Sequence, residues 1–258
     1  MNRPAQRLEL FALAGVPWVE AGADLAEVAL TSLARSARRL EDGDVLVFAQ
    51  KLVSKAEGRL VDLRRLEPGS RAQRIGRAVG KDPRLVELIL SESRRVVRQA
   101  PGVLIVEHRL GFVMANAGVD QSNVINGNDD SFALPLPVDP DGSAERLRAE
   151  LTRRAGARVG VIINDSFGRP WRVGTVGVAI GCAGLPAVVD RRGHHDLTGR
   201  TLKATVVGHA DELAAAASLV MGQADEGQPI VLVRGLLPAE RASAASTLVR
   251  PAAEDLFR

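Results

Sequence analysis

The stretch Gly102-Val103-Leu104-Ile105-Val106-Glu107-His108-Arg109-Leu110-Gly111-Phe112-Val113-Met114 decides the fold class. Two apolar runs, 102–106 and 112–114, flank Arg109-Leu110-Gly111, and this pattern predicts an antiparallel β-hairpin. A hairpin among irregularly alternating strands and helices argues against a doubly wound parallel sheet. The expectation is an α+β protein, with mixed or antiparallel sheets and flanking helices.

Outward from the hairpin, the N-terminal side reads as helix, strand and two helices. Asp24 and Glu27 form a D-x-x-E variant of the capping box, and Leu25, Val28, Ala29 and Leu33 follow on one face. The segment ends at Glu41-Asp42-Gly43-Asp44, and Val45–Ala49 then reads as a buried strand running into the polar stretch 50–59. Helices are predicted at about 70–79 and 83–92. On the C-terminal side, 135–140 breaks regular structure, Asp139-Pro140-Asp141-Gly142 reads as a turn, and Ser143 caps a helix to about Arg154. Strands are predicted at 159–163, 202–207 and 230–233, and a helix at about 210–221. The glycine-rich run 174–184 reads as close packing of a buried strand or loop. The Ala/Ser-rich stretch 239–246 reads as a loop or a loose helix.

Bulk properties narrow the function classes. A chain of 258 residues can bury a substantial core as one large domain or two small ones. The formal charge of +3 is small and the charges are mixed, with no basic block of the kind that binds nucleic acid. One cysteine, Cys182, excludes an internal disulfide framework and fits a reducing cytoplasm. The opening residues carry no apolar h-region, and no apolar run approaches the roughly 18 residues of a membrane span. A soluble cytoplasmic protein is expected, with neither nucleic acid nor membrane as partner.

Two acidic stretches carry the chemistry. Asn116-Ala117-Gly118-Val119-Asp120-Gln121-Ser122-Asn123 follows the second hairpin strand, and Asn164-Asp165-Ser166-Phe167-Gly168-Arg169 follows the strand at 159–163. Both read as turns at strand ends, and two carboxylates among amide and hydroxyl oxygens suit Mg²⁺ or Mn²⁺. Each also reads as an Asx-turn capping its own backbone. Gln223, between a helix and a strand, is either a third neutral oxygen ligand or a helix-end polar residue. Lys51 and Lys55 are either a clamp on phosphate oxygens or a solvated basic surface. The Gly193-His194-His195-Asp196 cluster suits zinc poorly, because adjacent histidines chelate one ion badly. Neither G-x-x-x-x-G-K-[ST] nor a strand-linked G-x-G-x-x-G occurs, so a nucleotide would bind outside both schemes.

An ordered set of short motifs resembles the coenzyme F420-0:L-glutamate ligases. They are Gly15-Val16-Pro17, Ser54-Lys55-Ala56-Glu57-Gly58-Arg59, the 116–123 loop, Asp139-Pro140-Asp141-Gly142-Ser143-Ala144-Glu145, Asp165-Ser166-Phe167-Gly168-Arg169, Asp196-Leu197-Thr198-Gly199-Arg200 and Met221-Gly222-Gln223. The resemblance spans nearly the whole chain, 1–258. It implies a family-specific ligase fold of two interleaved lobes and an intertwined homodimer. It also implies GTP-driven addition of L-glutamate to coenzyme F420-0 through an acyl phosphate, with further γ-linked glutamates. Carried over by position, Asp120, Asp165, Ser166 and Gln223 are metal ligands for Mg²⁺ or Mn²⁺, with K⁺ a further candidate. Ala14, Gly15, Val16, Pro17, Gln50, Lys55 and Asn123 are nucleotide contacts, and Asp120, Asp165 and Lys55 carry the catalysis. Some members continue into a C-terminal flavin-binding domain. Residues 251–258 read like the start of such a linker, so a stand-alone enzyme and one domain of a longer protein both stay open.

Overall fold

The computed structural model describes residues 7–125, 129–235 and 240–256. The opening stretch 1–6, residue 239 and residues 257–258, all read above from sequence, lie outside the described residues. In chain order the first elements are β1 (Glu9–Ala12), α1 (Leu25–Arg35), β2 (Val45–Ala49), α2 (Gln50–Ala56) and β3 (Val61–Asp62). There follow α3 (Ser70–Val79), α4 (Pro83–Ser91), β4 (Ser93–Ala100), β5 (Val103–His108), β6 (Val113–Ala115) and β7 (Phe132–Ala133). The remainder are α5 (Pro140–Ala155), β8 (Gly160–Arg169), β9 (Arg172–Ala183), β10 (Val189–Asp190), β11 (Val206–Val207), α6 (His209–Met221) and β12 (Ile230–Arg234).

The central sheet has the order β1-β12-β2-β8-β9, and only the β2/β8 pair is parallel. Its inner strands are apolar on both faces because both are covered. Leu46, Phe48, Val161 and Ile163 pack with α1, α2 and α5, whereas Val45, Val47, Ile162 and Val231 pack with α6. A second core gathers α3, α4 and the β4-β5-β6 sheet around Ile75, Val86, Ile89, Leu104 and Val106. The α+β reading and the 102–114 hairpin therefore hold. No helix among the described residues is long and apolar enough to cross a membrane.

Several expectations change. The hairpin gains a third strand, β4, whose sequence Ser-Arg-Arg-Val-Val-Arg-Gln-Ala hides it behind arginine. Helix α5 starts at Pro140, not Ser143. Asp139 caps it by accepting the Gly142 N–H at 3.0 Å, and proline suits the first turn, where no N–H is needed. Of 202–207, only Val206–Val207 is strand. The polar stretch after β2 folds at once into α2. The glycine-rich run is the outer strand β9, and Gly177 lets α6 approach. A Cβ there would stand 2.7 Å from the Ala214 carbonyl carbon and nearer still to the carbonyl oxygen and Ser218 Oγ.

Candidate active site

The second acidic stretch is not a turn. Strand β8 runs straight through Asn164, Asp165 and Ser166 to Arg169, beyond the apolar residues that signalled it. A bulge between Ile163 and Asn164, where β9 carries one extra residue, re-aims the strand at this point. Asn164 is buried and donates to Ser218 Oγ at 3.1 Å on α6. Asp165, the next residue, is turned by the strand's alternation to the opposite face. Its carboxylate accepts the Ser166 N–H at 2.8 Å.

The first acidic stretch is a turn, entered through three successive left-handed residues, Asn116, Ala117 and Gly118 (φ 54°, 53° and 66°). Asp120 then bridges to Leu134, and Asn123 is again left-handed at φ 55°, a region that asparagine tolerates. Asp120 Oδ1 accepts both the N–H and the hydroxyl of Ser122 at 2.8 Å, the Asx-turn weighed above. Its other oxygen, Oδ2, lies 2.6 Å from Lys51 Nζ. One carboxylate thus both caps the turn and faces a cation.

Helix α2 brings the lysines. Four residues apart, Lys51 and Lys55 share one face, while Gln50 and Ser54 are buried and joined by a 3.1 Å hydrogen bond. Lys55 donates to the Asn123 carbonyl at 2.6 Å and sits 3.5 Å over the Trp18 ring. Asn123 in turn donates to the Ala224 carbonyl at 3.2 Å, tying the acidic turn to the loop after α6. These contacts frame a cleft of about 440 Å³ whose lining includes Val16, Pro17, Gln50, Lys51, Lys55, Asn123, Asp165, Ser166 and Gln223. Asp120 stands outside the lining and is joined to it through Lys51. Ala14 and Gly15 also lie outside it. The Gly15 carbonyl instead receives Arg35 at 3.0 Å.

Charge is unevenly settled across the cleft. Burial, then the neighbouring Lys51 charge, lowers the Lys55 ammonium to about 8. Burial pushes the Asp165 carboxyl up to about 6; the Ser166 N–H opposes this, and the Asp120 charge adds to it. Burial also presses Asp120 upward, but Lys51 and the Ser122 donors outweigh it and hold that carboxyl below its ordinary range.

This donor set fits a hard divalent cation. The Asp120 charge reaches the Asp165 carboxyl, and Asp165, Ser166 and Gln223 line the same cleft. No group of three or more His, Cys, Asp or Glu side chains with metal-site geometry occurs among the described residues. An ion here would therefore rely on two carboxylates, neutral oxygens and a substrate's phosphates, the usual pattern for Mg²⁺.

The model of the F420-0:gamma-glutamyl ligase family matches residues 15–235, which takes in every site residue above except Ala14. The chain belongs to the F420-0:gamma-glutamyl ligase family. It is 48% identical over 253 residues to the coenzyme F420:L-glutamate ligase of Methanothermobacter thermautotrophicus, covering 97% of this chain and 99% of that one. It is 50% identical over 244 residues to the enzyme of the same name from Methanopyrus kandleri, covering 93% of each. Within the F420-0:gamma-glutamyl ligase frame, sequence reasoning overlooked Trp18 and the loop 224–229, which also line the cleft. The signal available was the Gly222 to Gly227 spacing around Asp225 and Glu226, which marks a loop but names no ligand.

Proposed function

We propose that this chain is a GTP-dependent ligase that joins L-glutamate to coenzyme F420-0, releasing GDP and phosphate, and then adds further γ-linked glutamates. The observation that carries the reading is the meeting of two ammoniums, the Asp165 carboxylate and the loop after α6 at one cleft, with Asp120 joined to it through Lys51, in a member of this family. The names of the relatives, coenzyme F420:L-glutamate ligases, supply the substrates.

The chemistry follows from charge. A carboxylate oxygen of F420-0 attacks the γ-phosphorus of GTP, forming a P–O bond while the bridge to the β-phosphate breaks and GDP leaves. The glutamate nitrogen then attacks the acyl carbon, the C–N bond forms, and phosphate departs as the amine loses its proton. No side-chain nucleophile is needed, so the protein's contribution is positioning and electrostatic stabilisation. Lys55 and Lys51 offset the phosphate charge, Asn123 holds Lys55 and the 224–229 loop in register, and Trp18 shields the Lys55 ammonium. Asp120, Asp165, Ser166 and Gln223 would hold Mg²⁺ or Mn²⁺, which would supply further neutralisation of phosphate oxygens. An intertwined homodimer belongs to the same proposal. Trp171 and Val173, 86% and 102% exposed at the tip of the β8–β9 hairpin, offer apolar surface for it.

Incubation with GTP, Mn²⁺, L-glutamate and F420-0 should yield GDP and a product heavier by one or more glutamate residues. GDP without glutamylated product would instead indicate a phosphate hydrolase.

A further inference from the structure

Lys51 holds an ammonium in an oxygen cage that a metal ion would also choose. Its Nζ lies 2.6 Å from Asp120 Oδ2, 2.9 Å from Ser122 Oγ and 3.1 Å from the Ser122 carbonyl. The remaining Asp120 oxygen is taken by Ser122 donors, so both carboxylate oxygens are satisfied without a metal. A divalent cation can claim Oδ2 only by displacing or sharing this ammonium. The ammonium rides on a four-carbon stem, lines the cleft, and can turn to another acceptor there.

We propose that Lys51 is a built-in counter-ion that pairs with Asp120 until nucleotide phosphate draws it off, so that metal and nucleotide bind with positive coupling. The inference rests on Asp120 being a metal ligand. Before nucleotide enters, the cleft holds a neutralised carboxylate and binds divalent cations weakly. Once phosphate offers Lys51 a new anionic partner, Oδ2 is released and the site strengthens. By linkage, the metal strengthens nucleotide binding by the same factor. The coupling follows from competition between two cations for one oxygen and requires no movement of the fold.

The test is Mn²⁺ titration of the full chain by calorimetry and by electron paramagnetic resonance, with and without GDP, at one slightly alkaline pH. Wild type is compared with Lys51→Met, Lys51→Gln, Lys51→Arg and Asp120→Asn. Either neutral substitution should tighten Mn²⁺ binding to the nucleotide-free protein by roughly two- to fivefold, the scale of a partly exposed ion pair, and should shrink the gain on adding GDP. Lys51→Arg should stay near wild type. Unchanged or weaker Mn²⁺ binding in both neutral variants, with Asp120→Asn still lowering it, overturns the counter-ion role alone. If Asp120→Asn leaves Mn²⁺ binding untouched, the metal site itself is misplaced.

Discussion

Substituting Gly177 by alanine joins packing to the site in a single perturbation. Gly177 pairs with Ser166 across the β8–β9 ladder, and its Cα faces α6. The added Cβ would stand 2.7 Å from the Ala214 carbonyl carbon, roughly 1 Å inside ordinary van der Waals contact. Because that neighbour is helix backbone, no rotamer change relieves the clash, and α6 must move off the sheet. Overpacking of this kind costs about 3 kcal/mol, which in a domain of this size lowers Tm by roughly 6–12 °C. The moving helix carries Ser218, the partner of Asn164, and ends at Met221 beside Gln223. GDP and Mn²⁺ affinity should therefore fall together with Tm. Calorimetric unfolding and GDP titration of Gly177→Ala test this directly. A Tm within a degree or so of wild type, with unaltered GDP affinity, would refute the reasoning that this glycine sets the distance between α6 and the sheet.

Further outcomes follow from named contacts. Asp120→Asn or Asp165→Asn should lower ligase turnover by about a hundredfold while circular dichroism and Tm stay near wild type. Turnover at the wild-type rate in either variant would contradict their role. Lys55, lowered to about 8 by burial and Lys51, loses its charge as pH rises. GDP affinity should thus fall from about pH 7 to about pH 9, and Lys55→Arg should flatten the profile. The linkage to stability has the opposite sign. The unfolded lysine keeps its proton up to its ordinary 10.5, so this group's contribution to stability rises between the two values. Asp44, 1% exposed, pairs with Arg234 at 2.7 Å. Asp44→Ala should cost about 1–3 kcal/mol in urea unfolding, because the Glu41 N–H and the Arg234 guanidinium lose a buried acceptor, although the guanidinium keeps Glu41 and the Arg39 carbonyl. The Cys182 thiol is buried and pushed up to about 12 by burial and the Asp141 charge, so native protein should resist alkylation that unfolded protein undergoes.

The sequence carried local signals well and convergence poorly. Helix α4 was legible from Pro83 onward through its leucines and isoleucine, and β2 through its unbroken apolar run, because burial is written in adjacent residues. Strand β4 was not, since its arginines pair with Glu107 and mask the alternation. The path of β8 through Asp165 was misread as a turn. The polar residues there are cleft-facing, so the hydrophobic pattern stopped before the strand did. Asp120, Asp165 and Lys55 were chosen by resemblance and chemistry. That α2 places Lys51 against Asp120, 69 positions away, is a tertiary fact with no local trace. The loop 224–229 stayed silent for the same reason, its role arising from Asn123 reaching Ala224.

The central claim is that this cleft activates a carboxylate by phosphoryl transfer and passes it to glutamate. The most direct measurement uses F420-0 labelled with ¹⁸O in the reacting carboxylate, together with GTP, Mn²⁺ and L-glutamate. Mass spectrometry then follows both the inorganic phosphate and the coenzyme. An acyl-phosphate route predicts one ¹⁸O in each phosphate released during the first addition, in step with a coenzyme heavier by one glutamate residue. Unlabelled phosphate, or phosphate released without glutamylation, would contradict it.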